Sequence, residues 1–77
     1  MSVKPLNSLK IGNSAIIKNF ADNTTFQSRL VEMGLLPGVE IRIIKKAPFN
    51  GPLEVKIRSY YLILRWQDAG QILVELI

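Results

Sequence analysis

The clearest signal in the chain is a change of hydrophobic period at Val39. From there Val39, Ile41 and Ile43 alternate with Glu40 and Arg42, a period of two that predicts a half-buried strand running to Lys45 or Lys46. Leu53, Val55 and Ile57 repeat the pattern against Glu54, Lys56 and Arg58, so a second strand of the same kind follows the turn-rich Ala47 to Pro52. A short link at Ser59-Tyr60 leads into Tyr61 to Arg65, which predicts an antiparallel hairpin. Trp66 to Gly70 reads as one helical turn or a bend, with Trp66 as core or rim packing, and Gln71 to Ile77 as the last strand. Earlier, Ser14 to Phe20 is rich in β-branched and apolar residues and lies between turn formers, which predicts the first strand.

Between that strand and Val39 the pattern is helical. Phe26, Leu30 and Met33 stand at i, i+4 and i+7, one stripe, while Gln27, Ser28 and Glu32 fall on the wet side. Thr24 with Gln27 has capping-box spacing, in which each side chain satisfies an orphan N–H at the helix start. Gly34 is placed to end the helix with a left-handed residue, Leu35 to make the apolar contact that accompanies such an end, and Pro37-Gly38 to form a type II turn.

About five short antiparallel strands with one inserted helix predict an all-β fold, a small SH3-like barrel. A flat two-layer α+β sheet is the alternative; it is disfavoured because one short helix covers too little of a five-stranded sheet. The 77 residues suit a single domain over 1–77, with residues 1–5 expected to be flexible. The 48% apolar and 21% charged composition is that of a folding chain rather than a disordered one. Met1 to Lys10 lacks the apolar stretch of a secretory signal and no apolar run is long enough to span a bilayer, so a cytoplasmic, soluble protein is expected.

Catalysis finds few tools here. With no cysteine and no histidine there is no thiol nucleophile, no imidazole base, and no means of building a zinc cluster or a metal site of the His-carboxylate kind. The six acids, Asp22, Glu32, Glu40, Glu54, Asp68 and Glu75, stand singly. General acid/base work and divalent-metal binding both call for converging groups, so neither an enzyme nor a cofactor is expected. Gly34 and Gly38 close a helix instead of opening one and make no phosphate cradle. The net charge of +4 raises nucleic acid as a partner, but the basic residues are scattered and only Lys45-Lys46 are adjacent. Apolar residues in turns remain: Leu35, Leu36, Phe49 and Tyr60 either fold back as lids over the barrel ends or form a docking patch for a protein partner.

The segment Arg29-Leu-Val-Glu-Met-Gly-Leu-Leu-Pro-Gly-Val-Glu-Ile41, with Ala47-Pro-Phe-Asn-Gly-Pro-Leu-Glu-Val55, Leu62-Ile-Leu-Arg65 and Ile72-Leu-Val74, resembles the FeoA family, ferrous iron transport protein A. The likeness runs from Leu6 to Val74 and departs at Trp66, where a more polar residue is expected. It implies an SH3-like barrel without an iron site and a cytoplasmic accessory role to the membrane transporter ferrous iron transport protein B (FeoB), which carries a GTPase domain. The stretches matched at Arg29, Leu30, Met33, Gly34, Leu35, Pro37 and Gly38 carry it. The alternatives are a basic SH3-like module that binds nucleic acid and a stand-alone regulatory domain similar to the C-terminal domain of metal-dependent repressors. Weak self-association through an open sheet edge is compatible with each.

Overall fold

Strand alternation organises the molecule. In the computed structural model, which describes residues 3–21 and 24–77, the side chains of 24–27 excepted, six strands and two helices follow in the order β1 (Val3–Pro5), β2 (Ser14–Phe20), α1 (Thr24–Glu32), β3 (Glu40–Lys46), β4 (Leu53–Ile57), β5 (Tyr60–Leu64), α2 (Trp66–Gly70) and β6 (Ile72–Leu76). One antiparallel sheet has the order β1-β6-β2-β3-β4-β5. Its inward positions, among them Ala15 and Ile17, Ile41 and Ile43, Leu53, Val55 and Ile57, and Ile72 and Val74, are all buried. The sheet curls on itself to cover them, and the extents of 28 × 25 × 24 Å are those of a barrel rather than a flat layer. Each large aliphatic side chain so buried contributes about 1.5–3 kcal/mol.

The fold is the small SH3-like barrel that the pattern predicts, with one strand more. Val3–Pro5, within the stretch expected to be flexible, forms a strand, while Met1 and Ser2 lie outside the described residues: Val3 faces Glu75, Lys4 faces Val74 and Pro5 faces Leu73, so the segment covers the outer edge of β6. Pro5 is tolerated because an edge strand has N–H groups that no neighbour uses. A 3-10 turn at Leu6–Ser8 then buries Leu6, and Leu9 follows it into the core. Asn7 Nδ2 donates to the Trp66 carbonyl at 2.9 Å, tying this turn to α2.

Two bulges re-aim the strands. Ile17 faces Val74 and Asn19 faces Leu73, leaving Lys18 extra; Ile43 faces Val55 and Lys45 faces Glu54, leaving Ile44 extra. The second bulge shifts the alternation by one, so that Lys46 stands opposite the buried Leu53. There its ammonium donates to the carbonyls of Asn7 (3.1 Å) and Leu9 (2.9 Å).

The helix end follows the sequence in detail. Leu35 N–H reaches the Leu30 carbonyl and Gly34 N–H the Val31 carbonyl, both at 3.0 Å, with Gly34 at φ +93°, a Schellman motif. Val39 N–H then bonds the Leu36 carbonyl at 3.1 Å across Pro37-Gly38, with Gly38 at φ +92°, as a type II turn requires. The expected cap at Thr24 and Gln27, and the place of Phe26 in the helical stripe, lie outside the described residues.

Candidate docking surfaces

The helix end decides which of two adjacent leucines reaches solvent. Closing the Schellman motif turns Leu35 inward onto Leu30, and its exposure is 0%. Leu35 is therefore core, and its expected part in a docking patch is corrected. Leu36, between the two left-handed glycines, points outward and is 39% exposed.

Tyr60 is also 39% exposed, but its hydroxyl is engaged. It donates to the carbonyl of Met33 at 2.6 Å, the residue that follows α1, where carbonyls have no partner within the helix. The hairpin β4–β5 is thereby fastened to the helix end, and the ring of Tyr60 lies beside the Met33 to Leu36 segment. Leu36 and Tyr60 thus belong to one region of the surface.

Phe49 does not join them. It sits in the β3–β4 connection, before β4 begins, whereas Tyr60 follows the far end of β4, and a five-residue strand spans about 16 Å. Phe49 is 99% exposed and held at φ +59°, with Asn50 at φ +58°. A bulky residue in that conformation costs about 1–2 kcal/mol. The four apolar residues singled out from the sequence therefore divide into one core residue, one exposed pair and one isolated side chain.

Sequence reasoning passed over the outward face of β5. Tyr61 and Ile63 are exposed, Ile63 at 71%, while Leu64 is buried and Leu62 packs against the core. The continuous apolar run Tyr60 to Leu64 hides that alternation in the sequence. Between α1 and β5 lies a cavity of about 150 Å³ lined by Met33, Ile63 and Leu64 together with the charged Arg29, Arg65 and Asp68.

Register also gathers charges that are scattered in sequence. Ser14 stands opposite Arg42, Arg42 opposite Lys56 and Lys56 opposite Tyr61, one row across four strands. Lys56 Nζ lies 5.7 Å from the centre of the Tyr61 ring. Among the described residues no polar or charged side chain is buried and no three carboxylates converge.

The chain is similar to known proteins in sequence and in fold. The family model described as FeoA domain matches residues 4–76. A relative from Porphyromonas gingivalis (strain ATCC BAA-308 / W83), described as an Fe(2+) transport protein A/Fe(2+) transporter FeoB fusion protein, is 36% identical over 72 residues, covering 94% of this chain. The chain spans only 8% of that relative's length. The structure of a FeoA-like protein from Clostridium acetobutylicum superposes with a TM-score of 0.90 at 30% identity, over 100% of this chain and 90% of that one. Stenotrophomonas maltophilia FeoA in complex with zinc, described as a prokaryotic SH3 domain protein, gives a TM-score of 0.78 at 30% identity, over 91% of this chain and 87% of its own.

Proposed function

This chain belongs to the FeoA domain family, and on that premise we propose that it is a non-catalytic accessory protein of bacterial ferrous-iron uptake that docks on the cytoplasmic part of FeoB and modulates transport. The observation that carries the reading is the Porphyromonas gingivalis fusion, in which a stretch similar to nearly the whole of this chain shares one polypeptide with a FeoB transporter. Joining two binding partners by a linker makes their encounter intramolecular and raises the effective concentration without any new contact. A fold that buries no ionisable side chain among its described residues suits an accessory role, since it acts through what it presents.

Leu36 with the exposed ring of Tyr60 forms the docking patch, and Phe49 makes a separate contact at the other end of β4. An aliphatic and an aromatic side chain at rigid turns are the usual anchors of protein interfaces. Both are pre-positioned, Leu36 between two left-handed glycines and Tyr60 by its bond to Met33, so little side-chain entropy is lost on binding. The site on FeoB is its GTPase domain or a membrane-proximal segment.

The test is a titration of isotope-labelled protein with the cytoplasmic part of FeoB. Resonances of Met33 to Leu36 and Tyr60 should move and saturate. An unchanged spectrum at high micromolar partner would refute the proposal.

A further inference from the structure

We propose that Arg42, Lys56 and Arg58, with the Ser14 hydroxyl, form a docking site for a carboxylate-rich segment of a protein partner. These are not the residues of the apolar patch, and the site stands or falls separately from it.

Three observations meet at this place. The first is register. Arg42 and Lys56 are directly opposite on β3 and β4, and neighbouring strands are about 4.8 Å apart. Like charges so placed destabilise a sheet unless an anion comes between them. Among the described residues the ion pair is Lys18 with Glu75, and none of the three cations has a carboxylate within 4.0 Å.

The second is backbone conformation. Arg58 opens the two-residue loop of the β4–β5 hairpin at φ +55°. Glycine or asparagine takes that conformation at little cost, whereas a residue with a long side chain is strained there. The loop thus carries a third cation, two residues beyond Lys56 in the chain, to the same concavity.

The third is shape. A concavity of about 260 Å³ is lined by Ser14, Glu40, Arg42, Lys56 and Arg58, three cations against one carboxylate. The hydroxyl and the guanidinium groups donate hydrogen bonds in the plane a carboxylate accepts, and charge-assisted bonds of this kind are about twice as strong as neutral ones.

A polypeptide fits better than a nucleic acid. Three cations on a row a few strands wide offer too short a track for a phosphate backbone, whose affinity grows with the number of phosphates neutralised. The Glu40 carboxylate also stands in the cavity, where it repels a free phosphate dianion, though not a singly charged phosphodiester, more than a single carboxylate. The row ends at the exposed Tyr61, and Ile63, two residues along β5, is exposed too; both are apolar contacts that a protein segment can use. Tyr61 further holds the Lys56 ammonium over its ring.

The test uses the whole chain and a short blocked peptide, half glutamate and half valine and serine, with inorganic phosphate and a single-stranded DNA oligonucleotide as the other arms. The peptide should shift the resonances of Arg42, Lys56 and Tyr61 saturably. Arg42→Ala with Lys56→Ala should weaken it about tenfold or more, and Lys10→Ala should leave it unchanged. Glu40→Gln, which removes the opposing charge, should tighten it. Oligonucleotide or phosphate binding tighter than the peptide overturns the proposal, as does peptide binding insensitive to Arg42, Lys56 and Glu40.

Discussion

The hydroxyl of Tyr60 donates to the carbonyl of Met33 at 2.6 Å, across 27 residues of sequence. This contact joins the tip of the β4–β5 hairpin to the C-terminal end of α1, and it occupies the space in which a side chain at Gly34 would stand: a Cβ built there collides with the Tyr60 hydroxyl. Gly34 is thus constrained twice, by its φ of +93° and by the phenol. Gly38, at φ +92°, has open space around it.

The pair gives a prediction that separates the two constraints. Gly38→Ala should cost about 1–2 kcal/mol, the left-handed penalty alone. Gly34→Ala should cost more, because the clash adds to that penalty. Tyr60→Phe alone should cost about 0.5–1.5 kcal/mol for the lost hydrogen bond. In the double variant the hydroxyl is gone, so part of the Gly34→Ala cost should be recovered. Urea denaturation of the four proteins measures the coupling, and strict additivity would show that the contact is unimportant.

Leu35 and Leu36 should respond in opposite ways. Leu35→Ala empties a fully buried site and should lower stability by about 2–5 kcal/mol. Leu36→Asp changes an outward side chain, so its unfolding midpoint should move by no more than about 0.5 kcal/mol equivalent, while its affinity for the cytoplasmic part of FeoB falls. Calorimetry with the partner and thermal melts without it together check the split. An unfolded Leu36→Asp would remove Leu36 from the docking patch.

Phe49 combines a left-handed backbone with almost complete exposure. Glycine relieves the strain there, at the cost of a more flexible unfolded chain, so Phe49→Gly should leave stability unchanged or raise it by about 0.5 kcal/mol. Its effect on partner binding should be a loss. Denaturant midpoints compared with binding affinity for the same variant test both signs, and a destabilised Phe49→Gly would mean that the ring packs on something.

These contrasts show what was legible in the sequence. The helix end was, because Schellman and type II turns demand a left-handed residue at Gly34 and Gly38, and that demand is local. The alternating strands were legible for the same reason, down to the inward set Val39, Ile41 and Ile43. Strand β1 was not: Val3-Lys4-Pro5 has no pattern of its own and becomes a strand only by pairing with Val74 and its neighbours at the other end of the chain. Nor was the fate of Leu35 and Leu36, identical residues side by side whose directions are fixed by the motif that encloses them. The cation row was hidden too, because Arg42, Lys56 and Arg58 look scattered until a register puts the first two face to face. Bulges, which leave no reliable mark in the residues, set part of that register.

Lys46 supplies the last test, and it follows from one of those bulges. The extra residue Ile44 turns Lys46 to the side of Leu53, where its ammonium serves the carbonyls of Asn7 and Leu9 and so pins the turn that buries Leu6 and Leu9. Lys45, one residue earlier, is exposed and faces the other way. Lys46→Met keeps the stem but leaves two backbone acceptors without their charged donor; after allowance for partial exposure it should cost about 1–2 kcal/mol. Lys45→Met should stay within about 0.5 kcal/mol of the parent. Amide exchange adds a local readout: the Leu9 N–H, bonded to the Leu6 carbonyl at 3.2 Å, should exchange faster in Lys46→Met and not in Lys45→Met. Equal effects from the two substitutions would mean that charge alone, and not the bulge-directed contact, holds the N-terminal turn in place.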